Sequence, residues 1–324
     1  MAYGRSVLSR RAVLRGAGLA AAAGVAGCAR APDYRSGPLR IATGGQGGVY
    51  YVYGQGIANA VRRDLPRLEP VVRATAASVD NLRMVAAGSA ELAFTLADSA
   101  AAALAGEAPF ERPLPVAALA RLYDNYLHLV VPAAGPIRDL AGLSGRRVSL
   151  GATGSGTELI ATRLLGLVGI DPQRDITVLR LGVDDSARSL SAGSLDAFFF
   201  SGGLPVAAIT TLAQATAIRL IGAGDLASEL RDRYGELYSE LAIPASTYRL
   251  DEPVSTVGVS NYLVVATSFD AELAYLLTRL LFVRRDMLAS AHPEARRLDR
   301  GAAIDTYPLP LHPGAARYYR DAKR

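Results

Sequence analysis

A glycine-rich loop between a strand and a helix occurs twice in this chain, and the repetition constrains the fold more than any other feature. Residues 151–158 read GATGSGTE. They follow the strand-like run Arg147-Val148-Ser149-Leu150 and open a helix-like run over 159–165. Residues 39–51, LRIATGGQGGVYY, repeat the same order of strand, glycine loop and helix start. A second echo follows each loop: residues 87–94, AGSAELAF, align with residues 192–199, AGSLDAFF. Two echoes in the same order at similar offsets predict two related lobes, each built as β–loop–α–β–α–β. Strands alternating with helices predict parallel sheets in an α/β fold.

The strands are placed near 39–42, 70–74 and 91–95, then near 147–150, 175–181 and 196–200. Helices are placed near 50–63, 78–87, 98–105, 157–168, 184–192 and 204–214. The stripe Val52, Ile57 and Val61 gives the first helix its apolar face. Two β-rich runs, 126–132 and 254–266, join the lobes and predict a hinge. Helical segments over 270–291 and 313–321 return to lobe one. The lobes are bounded as 39–130 with 255–324, and 131–254. Both glycine loops sit at carboxyl ends of strands, where open α/β sheets bind ligands.

The loops are not nucleotide motifs. Gly151 and Gly156 have P-loop spacing, but Thr157 and Glu158 stand where Lys and Ser/Thr are needed. The dinucleotide pattern fails because Leu159 occupies its last glycine position. Free N–H groups at a helix start still suit a small carboxylate. A tight turn without a ligand is the other reading of one such loop alone.

Catalytic constellations are missing from the pattern. His128, His292 and His312 are not spaced for a metal with one another or with a cysteine. His128 alternates with apolar neighbours and reads as structural. The other two precede prolines and read as turn or helix-end residues. Ser155 lacks the G-x-S-x-G spacing of a nucleophile elbow. Asp184 and Asp185 read as helix-start acids. Gly193-Ser194 reads as a helix C-cap and turn. No catalytic residue, metal or cofactor is therefore expected. Tyr50, Tyr51 and Tyr53, with residues 198–200 (FFF), offer rings to wall a pocket, alternate members of the latter filling cores.

The amino terminus sets the compartment. Residues 9–15, SRRAVLR, match a twin-arginine export signal, and the apolar stretch 17–26 is too short to span a bilayer stably. It ends in VAGC, with the sole cysteine, Cys28, placed as in a bacterial lipobox. The expectation is a signal over 1–27, a lipid on Cys28, a tether over 28–38 and an extracytoplasmic chain held at the cell membrane. Residues 1–27 carry four arginines and no acid, so much of the formal charge of +5 belongs to the signal. No basic stripe interleaved with aromatics marks a nucleic-acid partner.

Taken together, these motifs resemble the TAXI-type solute-binding proteins of TRAP transporters over about residues 39–320. The motifs are Thr43-Gly44-Gly45 with Gly47-Gly48-Val49-Tyr50-Tyr51, Ser78-Val79-Asp80-Asn81-Leu82, His128-Leu129-Val130-Val131, Gly154-Ser155-Gly156-Thr157-Glu158, Asp196-Ala197-Phe198-Phe199, and Pro310-Leu311-His312-Pro313-Gly314-Ala315 with Arg317-Tyr318-Tyr319. The resemblance implies a two-lobed binding protein of periplasmic type II fold. It implies capture of a small organic acid, of the glutamate or 2-oxo-dicarboxylate class, for an ion-driven membrane permease. The ligand residues expected are Gly45, Gly48, Val49, Tyr50, Ser78, Asn81 and Tyr123 from lobe one, and Ser155, Gly156, Thr157, Phe200, Gly202 and Gly203 from lobe two. Val49 stands where the family pattern has Thr, Ala76-Ala77 where it has two glycines, and Leu96-Ala97 where it has Gln-Ser. These departures make the pocket less polar. Three rival functions are an enzyme acting on small acids, a binder feeding a membrane sensor, and a binder for an ATP-driven importer.

Overall fold

The order of strands explains how one chain carries two related halves. The computed structural model describes Met1 and residues 34–323. The twin-arginine pattern, the signal stretch and Cys28 lie outside the described residues. Ten strands form one sheet: β1 (Gly37–Ala42), β2 (Leu68–Arg73), β3 (Leu92–Leu96), β4 (Val116–Pro132), β5 (Arg147–Ser149), β6 (Thr177–Leu179), β7 (Ala197–Gly202), β8 (Ile218–Leu220), β9 (Tyr238–Ile243) and β10 (Val254–Ala266). Their order is β2-β1-β3-β10-β4-β7-β5-β6, with β8 against β4 and β9 against β10. The first three pair in parallel, as do β5 with β6 and β7, in the manner expected of two β–α–β sets.

The long strands β4 and β10 serve both sets. β10 pairs antiparallel with β3 through Asn261–Val264 and with β9 through Val254–Val259. β4 pairs with β10 over its first part and with β7 through Tyr126–Val130. The expected connector at 126–132 is thus the end of a longer strand, while that at 254–266 agrees with β10 in both bounds.

The second echo has a matching bonding pattern. Arg40 donates its backbone N–H and guanidinium to Glu91 and reaches the Gly88 carbonyl at 2.8 Å. Arg147 does the same with Asp196 and the Gly193 carbonyl at 2.9 Å. Gly88 and Gly193 both take φ +70°, the left-handed conformation that ends a helix. Sequence similarity here is similarity of structure.

Helices start at the carboxyl ends of the parallel strands: Val49–Asp64 after β1, Ser78–Ala86 after β2, Ala97–Ala105 after β3, Gly156–Leu167 after β5 and Val183–Ser191 after β6. The first buries Tyr53, Ile57 and Val61; Val52 is half-exposed, so Tyr53 replaces it in the expected stripe. The three phenylalanines of β7 divide as strand alternation requires. Phe199 joins the large core with Leu82, Leu129 and Leu164, and Phe198 joins the core formed with Val183, Leu190 and Val206. Phe200 remains half-exposed at the strand end.

Each histidine has a structural role. His292 and His312 accept N–H bonds from Glu294 and Gly314 through Nδ1, capping the turns that their prolines begin. His128 is fully buried; its Nδ1 meets the Phe200 carbonyl at 3.1 Å and its Nε2 meets the Tyr248 hydroxyl at 3.0 Å. Tyr248 in turn accepts the Val206 N–H at 2.9 Å. Tyr248 spends its proton on Nε2, so Nδ1 carries the ring proton. Burial lowers the His128 pKa to about 4, keeping the ring neutral.

Candidate functional site

Strand ends of both sets converge on one cavity of about 90 Å³. After β1 come Gly44, Gly45, Gly48, Val49 and Tyr50; after β2 come Thr75, Ala76, Ala77 and Ser78. The second set supplies Gly151, Ala152, Ser155, Gly156 and Thr157 after β5, Gly182 and Val183 after β6, and Phe200, Ser201 and Gly202 at the end of β7. Leu96 closes β3, and Tyr123 and Asn125 rise from β4. No ionisable acid or base of Asp, Glu, Lys, Arg or His type is among these lining residues.

Five helix starts therefore border one uncharged space, Leu96 opening the one after β3. Those at Gly48, Ala77 and Gly182 have no side-chain cap. Ser155 caps its own helix, accepting the Glu158 N–H at 3.0 Å, while Glu158 accepts the Gly154 N–H at 2.9 Å. Helix starts carry partial positive charge and unpaired N–H groups. Such starts favour negative charge without a basic side chain.

A hydrogen-bonded chain runs beneath the cavity. The Tyr50 hydroxyl donates to Asn261 Oδ1, and Asn261 Nδ2 donates to Asn125 Oδ1 at 2.8 Å. Asn125 Nδ2 reaches Ser201 Oγ at 3.3 Å. The chain ties the first helix, β10, β4 and β7 together and fixes the floor. Burial pushes the Tyr50 and Tyr123 hydroxyls well above their ordinary range, so both remain protonated donors. Tyr123 is 3% exposed and its hydroxyl has no hydrogen-bond partner among the described residues.

Eleven of the thirteen expected ligand residues line this cavity; Asn81 and Gly203 do not. Asn81 donates to the carbonyls of Thr43 at 2.6 Å and Phe94 at 2.8 Å and accepts from Thr75, so its amide joins β1 to β3. Gly203 lies beyond the wall, where an added Cβ would meet Glu294 Cγ and Tyr123 Cε2 at 2.8 Å each. Ser78 Oγ is taken by the Leu96 N–H at 3.1 Å, and Thr157 Oγ1 by the Ser201 N–H at 3.0 Å. Both hydroxyls keep a proton to donate. The sequence reading missed Thr75, Asn125 and Ser201 as lining groups, and the wall formed by Gly182-Val183 at the helix start after β6. An equivalent of the Ser78 helix start in the second half was the available signal for the last.

The sets also touch directly. A Cβ added at Gly156 would lie 2.6 Å from Leu96 Cδ1 and 2.7 Å from Ser78 Oγ. Asp80 donates its N–H to the Gly154 carbonyl at 3.1 Å, and Gly47 donates to Asp184 Oδ2 at 3.1 Å. Farther from the cavity, buried Asp98 lies 3.8 Å from Arg163, and the Tyr238 hydroxyl bonds to both.

Comparison with known proteins agrees with this architecture. A solved structure described as a periplasmic transporter is 15% identical, with a TM-score of 0.52, covering 90% of this chain and 94% of that one. An ancestral arginine-binding protein bound to arginine is 11% identical, with a TM-score of 0.51, covering 81% and 99%. The periplasmic aliphatic sulphonate binding protein SsuA from Escherichia coli is 17% identical, with a TM-score of 0.49, covering 89% and 84%. The first two show the mixed α/β fold of periplasmic binding proteins. The family model that describes NMT1-like proteins matches residues 41–322, and the chain belongs to the NMT1-like family.

Proposed function

We propose that this protein is the extracytoplasmic solute-binding subunit of a membrane transporter and captures a small organic acid by closure of two lobes. The observation that carries the reading is the uncharged cavity between the two strand sets, bordered by five helix starts and lined from both sides. Residues 39–130 with 255–324 form one lobe and 131–254 the other, β4 and β10 being the hinge. The carboxylate is held by N–H groups at Val49 and Gly156, with the hydroxyls of Ser78 and Tyr123 at hand, while the Gly48 N–H and the Tyr50 hydroxyl brace the site through Gly45 and Asn261. Closure is a shift toward the conformation in which ligand touches both lobes.

The permease is of the ion-driven TRAP type on the strength of the TAXI resemblance, and Cys28 carries the lipid that holds the chain at the membrane. The experiment is a thermal-shift screen of the full chain against small carboxylates, glutamate and 2-oxo dicarboxylates included, followed by recovery of each hit. Ligand at 100 times its Kd adds about 2.7 kcal/mol, a rise of roughly 5 °C or more. A hit recovered chemically unchanged supports a binding protein. Turnover supports the enzyme reading instead. A large multi-span permease gene beside this one separates transport from sensing.

A further inference from the structure

We infer that the cavity takes an acid with a single negative charge and an uncharged, apolar remainder, and that the Ala77 methyl limits the length of that remainder. This rests on the solute-binding reading above and narrows its ligand. Three helix starts crowd one locus. The Cβ position of Gly156 is 2.7 Å from Ser78 Oγ, and that of Gly44 is 3.5 Å from Ala77 Cβ and 3.7 Å from the Tyr50 ring. Two of these starts, at Gly48 and Ala77, have no side-chain cap. Tyr123, whose buried hydroxyl has no partner among the described residues, lines the same cavity and offers a donor there. Together they form one place for one anion.

No second place in the lining answers another charge: the uncapped start at Gly182 carries Asp184 and Asp185 in its first turn, which repel a second anion. An ammonium would be buried without a carboxylate, and a second carboxylate would be pressed against Val49, Leu96, Ala76, Val183 or Phe200. A buried charge without a partner is costly enough to outweigh the contacts that bring it in.

Ala77 shows which wall is under constraint. It takes φ 87° and ψ −142°, a conformation that a Cβ disfavours. Its N–H donates to Thr75 Oγ1 at 3.0 Å and its carbonyl accepts the Asn81 N–H at 2.8 Å, so the surroundings hold it there. Glycine would adopt this backbone without strain. A methyl kept in a strained position on a cavity wall is a ligand contact, and it shortens the space available to a tail.

The test is calorimetric titration of the full chain with three acids on the same five-carbon skeleton: 2-oxovalerate, 2-oxoglutarate and L-glutamate. We expect 2-oxovalerate to bind at least about tenfold more tightly than either of the others, which carry the extra charges. If 2-oxoglutarate or glutamate binds as well or better, the single-charge inference falls while the acid-binding reading stands. If none binds, both fall. In Ala77→Gly, the preference for 2-oxovalerate over the longer 2-oxooctanoate should shrink several-fold. An unchanged ratio removes Ala77 from specificity.

Discussion

Asp184 accepts a hydrogen bond from the Gly47 backbone N–H at 3.1 Å, joining the helix start after β6 to the glycine loop after β1. The two residues are 137 apart in sequence, and the bond exists only while the strand sets are in contact. Asp184→Ala should therefore speed ligand release. A half-exposed charge-assisted bond contributes about 1 kcal/mol, so affinity for 2-oxovalerate should fall up to about tenfold. Stopped-flow release rates check this; unchanged release would show that the bond does not hold the cleft shut.

Gly156 packs against Ser78 and Leu96 with no room for a side chain. Gly156→Leu should wedge the sets apart, with binding weakened at least about a hundredfold, while the circular dichroism spectrum is retained. Micromolar affinity in this variant would contradict closure around Gly156.

Removing Arg163 should destabilise the protein more than neutralising its partner. Asp98 is fully buried, and burial pushes its carboxyl upward while Arg163 and bonds from Ser99 and Tyr238 pull it back. Arg163→Ala strips the cation from a buried carboxylate and should cost about 3 kcal/mol. Asp98→Asn keeps an acceptor for Tyr238 and should cost less. Urea denaturation of both variants gives the comparison.

Acidification should weaken the fold through His128. Its folded pKa, about 4, lies below the ordinary 6.5. The unfolded chain thus binds a proton more readily, and the contribution of neutral His128 is full above pH 6.5 and lost as pH falls toward 4. The loss amounts to roughly 3 kcal/mol. His292 and His312, also lowered by burial, act in the same direction, whereas Asp98 and Glu294, both raised by burial, act in the opposite one. The check is therefore a difference. His128→Gln should be less stable than wild type at pH 7.5, and that gap should narrow at pH 4.5.

Relief of backbone strain at Ala77 should raise stability even as it changes selectivity. Strain of about 1–3 kcal/mol is relieved by Ala77→Gly, less up to about 1 kcal/mol for glycine's freedom in the unfolded chain. A rise of roughly 2 °C in Tm is expected for the ligand-free protein. A fall would show that φ 87° is not strained here.

The strand–loop–helix units were legible because each carries a strong local signal. The glycine loops, the Gly-Ser turns after helices and the alternation at residues 198–200 are written in adjacent residues. Other elements depend on distant partners. β8 has only three residues, and β8 and β9 gain their definition from pairing with β4 and β10. The helix Ala227–Tyr234 buries only Ala227 and Leu230, so its apolar stripe is faint in sequence. Among site residues, Asn125 and Ser201 matter through a chain that passes by way of Asn261, and no spacing announces such a chain. Asn81 carried the opposite risk: it stands in a motif beside Ser78, yet its amide is spent on two backbone carbonyls.

The placement of β10 also bears on how the molecule can be made. β3 finds its antiparallel partner only at Asn261–Val264, far downstream of the strands that surround it. Until that stretch has left the ribosome, one edge of the first set has unpaired backbone groups, whereas β7, the corresponding edge of the second set, pairs with β4, which is made earlier. The parallel strands of the later half can pair first, while β9 and the earlier half wait for β10. A truncation before β10 should then leave an amino-terminal half that is open to wrong pairing at its exposed edge. Completion of β10 is then the event that joins β3 to β4 and closes the sheet along its middle.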